Sequence, residues 1–274
     1  MKNLGHYIVR FLFQSQESTM SDPNITFRNI IEAYERIQPY VHQTPVFTST
    51  SLNKIASEKA VLHDIELFFK CENFQKTGAF KARGATNAVL VAKEKKTNLK
   101  GMVTHSSGNH GLAVAYACSE KVGNVPCTVV VTKDTPEIKC GAIRSYGADL
   151  VFCETSPTSR KEICSKISTE KGYEIVHSSD DYHVIAGQAT ISYEMMEKQN
   201  FRDLDAILVS VSGGGLCSGT ALCAKEINPK TKIIAVEPKG KDLGVCLQAK
   251  KRLWKNPPQF VDTIAEGIRN QQVQ

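Results

Sequence analysis

Short apolar runs alternate with amphipathic helical stretches along almost the whole chain, and that order leaves few folds open. Strand-like Glu66-Leu67-Phe68-Phe69, Met102-Val103-Thr104, Cys127-Thr128-Val129-Val130-Val131, Asp149-Leu150-Val151-Phe152, Glu174-Ile175-Val176, Ala206-Ile207-Leu208-Val209 and Ile233-Ile234-Ala235-Val236 are separated by segments with helical character. Strands that are apolar on both faces need cover on both, which intervening helices supply in an α/β fold with parallel sheets. Nearer the N-terminus, Phe27, Ile30, Ile31, Tyr34 and Ile37 repeat at helical spacing and Pro39 closes that helix. Ligands of such sheets bind beyond the carboxyl ends of the strands, so the loops there carry the functional question.

Three of those segments carry chemistry. In Lys76-Thr77-Gly78-Ala79-Phe80-Lys81-Ala82-Arg83-Gly84-Ala85, a lysine beside an apolar ring opens a helix, where it can become a nucleophile toward an aldehyde. Taken alone, such a lysine reads equally as a solvated surface residue. Ser212-Gly213-Gly214-Gly215-Leu216-Cys217-Ser218-Gly219 follows a strand and opens a helix, as a phosphate cradle does, although a glycine triplet also serves as a plain turn. His105-Ser106-Ser107-Gly108-Asn109-His110-Gly111 crowds small polar side chains and amides at another helix N-terminus, which suits an anion. Pyridoxal phosphate, with an aldehyde at one end and a phosphate at the other, needs both of the first two segments.

Composition excludes other classes. Hydrophobic residues make up 41% of 274, enough for a sizeable core, and the net charge of +6 is spread over lysines with interleaved acids. With no basic and aromatic interleaving, the charge reads as solvated faces and not as a nucleic-acid footprint. No run approaches the ~18 apolar residues that span a bilayer. Nine cysteines with no C-x-x-C pair point to reduced thiols in the cytoplasm. Cys217 is either a thiol activated by the helix N-terminus or a small buried filler.

With the three motifs in order, the chain resembles the fold-type II pyridoxal-phosphate enzymes of the serine/threonine dehydratase family, over about Met20 to Arg269. Phe80-Lys81-Ala82-Arg83-Gly84-Ala85 and Ser107-Gly108-Asn109-His110 match its dehydratase and racemase branch and differ from the cysteine synthase pattern. The resemblance implies a tryptophan synthase β-like fold, a large cofactor domain from 20–100 and 181–274, a small domain at 101–180 inserted in it, and a homodimer. It implies racemisation of serine together with elimination from serine or threonine. An ammonia-lyase without racemase activity, or a non-catalytic remnant or regulatory partner, remains open as an alternative.

The family also implies roles. Lys81 carries the cofactor and acts as base, Phe80 packs beside the ring, and Asn109 bonds its phenolic oxygen. Ser212, Gly213, Gly214, Gly215 and Leu216 hold the phosphate, while Ser106, Ser107 and His110 bind substrate. Ser107 is the second acid/base on the opposite face, or else a helix N-cap without a proton role. A magnesium or calcium ion is implied at Glu237, with Asp242 as a weaker second ligand, and a strand-end surface acid is the alternative for Glu237. Three departures stand out: Ser212 replaces the first of four glycines, Leu112 replaces a polar residue, and Leu243 stands where the second metal carboxylate is expected.

Residues 1–19 precede Met20-Ser21-Asp22, which reads as a natural start for the family, and are expected to be a disordered extension. At the other end, the family continues past Thr263-Ile264-Ala265-Glu266-Gly267-Ile268 with further elements and a partner for the pyridine nitrogen. Ending at Gln274, the chain is expected to be truncated there, with an open sheet edge and weakened turnover.

Overall fold

The computed structural model describes residues 8–11, 25–58, 60, 64–254, 261–270 and 273. In chain order the elements are β1 (Ile8–Phe11), α1 (Phe27–Ile37), β2 (Val46–Thr48), α2 (Thr50–Glu58), β3 (Phe68–Lys70), α3 (Lys81–Lys95), β4 (Met102–His105), α4 (Asn109–Cys118) and β5 (Cys127–Thr132). There follow α5 (Glu137–Arg144), β6 (Asp149–Cys153), α6 (Pro157–Lys171), β7 (Glu174–Ile175), α7 (Tyr182–Tyr193), β8 (Ala206–Ser210), α8 (Gly215–Ile227), β9 (Lys232–Glu237) and α9 (Leu243–Gln248).

A four-stranded parallel sheet in the order β6-β5-β4-β7 lies within 102–175. Both faces of β5 are covered, which is why its run reads as continuously apolar: Val129, Val130 and Val131 are all 0% exposed. A second sheet pairs β8 and β9 in parallel, with β1 antiparallel along the outer edge of β9. Within the extension expected to be disordered, Ile8–Phe11 pairs along the edge of β9, whose open N–H and C=O groups accept an added strand. The remainder of that extension lies outside the described residues.

Helix α7 passes between α3 and α8 at contact too close for side chains. A Cβ on Gly187 would lie 2.6 Å from the Gly84 Cα, and one on Gly219 would lie 2.9 Å from the Ala189 amide nitrogen. Nine residues of α7 are buried, Gln188, Thr190 and Ser192 among them, as suits a helix with neighbours on several sides. Its N-cap is Asp181, which accepts from the amides of His183 and Val184. The helix continues as a π-turn, Glu194–Lys198, that brings Glu194 under α3.

There Arg83 is 0% exposed and is gripped by two carboxylates. Its Nη2 lies 2.8 Å from Glu72 Oε1 and 2.9 Å from Glu194 Oε1, and Lys70 Nζ bonds the same Glu194 oxygen at 2.6 Å. Glu194 also accepts from the Thr44 amide. The charges are paired and hydrogen-bonded, which is the condition for burying them. Arg83 lies in the first turn of α3, two residues beyond Lys81, so this network fixes the end of the helix that carries the lysine.

Candidate active site

Lys81 sits at the N-terminus of α3 after a strained approach, with Thr77 at φ 63° and Gly78 at φ 72°. Left-handed backbone at a threonine is rare and persists only where the surroundings hold it. Lys81 Nζ donates to the Ser178 carbonyl at 2.6 Å and lies 5.2 Å from the centre of the Phe80 ring. Burial pushes its ammonium down to about 8, because a charge there has lost water without gaining an anionic partner.

The segment after β7 is the hub that joins the motifs. The Val176 carbonyl accepts from Thr104 Oγ1 at 2.9 Å and from His110 Nε2 at 3.1 Å. Ser178 holds Lys81. Ser179 packs on the glycine loop so tightly that a Cβ on Gly213 would fall 2.2 Å from its Oγ and one on Gly215 would lie 3.1 Å from its carbonyl oxygen. Gly214 takes φ 104°, which glycine accepts at little cost, and α8 begins with no side chain capping it. Its first amides thus lack both an intrahelical acceptor and a side-chain cap.

The third loop ends β4 and starts α4. Ser107 Oγ accepts from Thr135 Oγ1 at 2.9 Å, and Thr135 Oγ1 is 3.1 Å from Thr132 Oγ1, so three hydroxyls run in series. Ser106 Oγ accepts from the Gly108 amide, and Asn109 is exposed at the first position of α4. His110 lies in the wall of the loop. Its Nε2 faces a carbonyl, which can only accept, so the proton belongs on Nε2 and Nδ1 is left bare. That Nδ1 is buried with no partner, and burial, then the nearby Lys81 charge, pushes the imidazole down to about 3.

The structure thus links Lys81, Gly213, Gly215 and His110 through residues 176–179, with Ser107 on a separate hydroxyl chain. Leu216 packs against the core beneath α8, along with Cys217. Burial drives the Cys217 thiol up to about 11, so the filler reading holds and an activated thiol does not. Sequence reasoning missed Ser178 and Ser179, and also Arg160, whose Nε is buried without a partner among the described residues and whose charge acts on His105.

These features fit pyridoxal phosphate: a depressed lysine, an uncapped helix N-terminus behind three glycines, and orphaned buried polar atoms at His110 Nδ1 and Thr77 Oγ1. The family described as "Pyridoxal-phosphate dependent enzyme" matches residues 37–274. The chain belongs to that family. It is 43% identical to serine racemase from Dictyostelium discoideum over 244 residues, covering 89% of this chain and 72% of that one. Among solved structures, a pyridoxal 5'-phosphate-dependent aspartate racemase matches at TM-score 0.86 and 49% identity, covering 93% of this chain and 75% of that one. The processed form of threonine deaminase isoform 2 from Solanum lycopersicum matches at TM-score 0.80 and 28% identity, covering 98% and 73%. The fold-type II architecture and pyridoxal-phosphate dependence follow from these matches. Among the described residues no helix is long and apolar enough to cross a membrane.

The expected metal site does not fit. Both Glu237 carboxylate oxygens accept backbone amides, Oε2 from Leu243 at 2.9 Å and Oε1 from Gly244 at 3.2 Å, so the side chain caps α9. Asp242 stands in the left-handed region at φ 57°, and its side chain caps nothing. No group of three His, Cys, Asp or Glu residues that could hold a metal ion occurs among the described residues.

Proposed function

We propose that this enzyme interconverts the enantiomers of a small polar amino acid, serine first, and also eliminates the β-hydroxyl of serine or threonine. The observation that carries the reading is Lys81, a buried amine whose pKa stands near 8 and which donates to a backbone carbonyl. Such a group is neutral often enough near physiological pH to take a proton and to return it. When bound, the cofactor accepts the electron pair released at the substrate α-carbon. Lys81 Nζ takes the α-proton. Ser107 Oγ delivers a proton to the other face, and its hydrogen bond from Thr135 places a second hydroxyl where it can restore that proton. In the competing outcome the β-hydroxyl departs as water, and the resulting enamine hydrolyses to a 2-oxo acid and ammonia.

The remaining side chains position and exclude. Ser106, Ser107 and the amides opening α4 would hold the substrate carboxylate, Asn109 would bond the cofactor's ring oxygen, and Phe80 would pack beside the ring. Neutral His110 lines the wall without competing for protons, since burial holds it far below physiological pH. The glycine loop, Ser212, Gly213, Gly214, Gly215 and Leu216, would hold its phosphate. Nine free thiols support a reducing compartment such as the cytoplasm. Incubation of the cofactor-loaded chain with L-serine, followed by chiral separation and a pyruvate assay, tests the reading; D-serine is the expected product, and pyruvate with no D-serine would reduce the activity to a lyase.

One observation favours a second substrate. Arg160 Nε is buried with no hydrogen-bond partner among the described residues, and a guanidinium with a donor left over suits a second carboxylate on the substrate. The aspartate racemase match supports the same idea. Turnover of L-aspartate beside L-serine separates the two, and Arg160→Leu should lower only the former.

A further inference from the structure

Lys241 is 0% exposed, which is rare for a lysine. Its Nζ donates to the Asn270 carbonyl, and its own carbonyl accepts from Trp254 Nε1 at 2.7 Å. One residue therefore ties the end of β9 to Trp254 and to the segment 261–270. That segment reaches further: Glu266 pairs with Lys139 on α5 at 3.0 Å. Burial disfavours the Lys241 ammonium and the Glu237 charge offsets part of that, from beyond ion-pair distance and with its own oxygens accepting the α9 amides. The position after Asp242, where a second carboxylate would have to stand, is a buried leucine.

A divalent ion of the magnesium or calcium type takes six or more oxygen ligands, and this loop offers one carboxylate that is spoken for. A buried ammonium needs fewer partners: the Asn270 carbonyl accepts from Lys241, and Glu237 supplies a negative charge beyond ion-pair distance. We propose that the Lys241 ammonium is the resident cation of the β9–α9 loop, standing in for a divalent metal, so that the fold of this chain is indifferent to magnesium and calcium. The lysine balances Glu237 and pins the 261–270 segment, the two tasks an ion at the carboxyl end of β9 would perform.

Thermal melting of the purified chain tests this without any substrate, so its outcome is independent of the racemase reading. The wild-type chain, stripped with EDTA, is melted in chelator, in magnesium and in calcium, and an unchanged Tm is expected in all three. K241M, which keeps the apolar stem and loses the charge, is expected to melt several degrees lower. K241A/L243D, which removes the ammonium and supplies the missing carboxylate, is expected to gain a Tm that rises with magnesium or calcium. A wild-type Tm that rises with either ion overturns the proposal, as does a K241M chain as stable as wild type or a double variant that ignores both ions. If K241M does not fold, the wild-type titration still decides.

Discussion

Lys81 Nζ and the Ser178 carbonyl meet at 2.6 Å, and the neighbouring Ser179 closes on Gly213, so a single dipeptide spaces the amine from the glycine loop. A carbonyl acceptor holds the amine in place without the anionic partner that would have raised its pKa. The carbonyl orients Lys81, and burial lowers its basicity.

Lys81 should set a slope in the stability of the cofactor-free chain. Its folded pKa, near 8, lies below the ordinary 10.5, so the unfolded chain binds more protons between those values and stability rises with pH across that window. Below it the buried charge costs roughly 3 kcal/mol. Urea unfolding at a series of pH values should show Lys81→Met more stable than wild type at pH 7, with the gap closing above pH 10. The same variant should lose the pyridoxyl adduct that borohydride reduction leaves on Lys81.

Ser107→Ala should suppress conversion of L- to D-serine on the order of 100-fold while leaving pyruvate formation nearly intact, because elimination from the L-isomer uses only the lysine face. Thr135→Val, which removes a hydrogen-bond donor to Ser107, should cost racemisation roughly fivefold. Equal loss of both products in Ser107→Ala would assign the serine to substrate positioning.

Gly213→Ala should weaken cofactor binding about tenfold or more, since its methyl group cannot coexist with Ser179 Oγ where that atom stands. Ser179→Gly in the same chain should restore part of the loss. Fluorescence titration with pyridoxal phosphate reads both, and an undiminished affinity in Gly213→Ala would mean that the loop yields freely.

Arg83→Met should destabilise the fold by about 3–5 kcal/mol, because it leaves Glu72 without a cationic partner and Glu194 with Lys70 alone beneath α3. Adding Glu194→Gln should recover some of that. Denaturant midpoints at constant m-value provide the measurement.

The strands and the helices that follow them were legible because their periodicity is local. Lys81 and the glycine loop were legible because each sits where a strand or turn passes into a helix. Ser178 and Ser179 were not, for they lie in a polar stretch after a two-residue strand, with no period to mark them and contacts made to residues distant in sequence. Glu237 misled for a different reason: a carboxylate just after a strand can bind a metal or cap the next helix, and only the amides of Leu243 and Gly244 choose between them. The leucine at 243 was the available hint. Arg83 appeared in the sequence only as part of a motif, and its carboxylate partners, from the π-turn and from the loop after β3, emerge only in three dimensions.

Helix α7 touches α3 and α8 backbone to backbone, and its thickness is then a ruler. The proposed cofactor has a fixed span from aldehyde to phosphate, and stacked main chains, whose separation does not depend on a rotamer, would keep such a span constant. Glycines 84, 187 and 219 are the graduations on that ruler, and Gly84 stands one helical turn from Lys81. A methyl group added to one of them would have to push two helices apart, and the length would change with them.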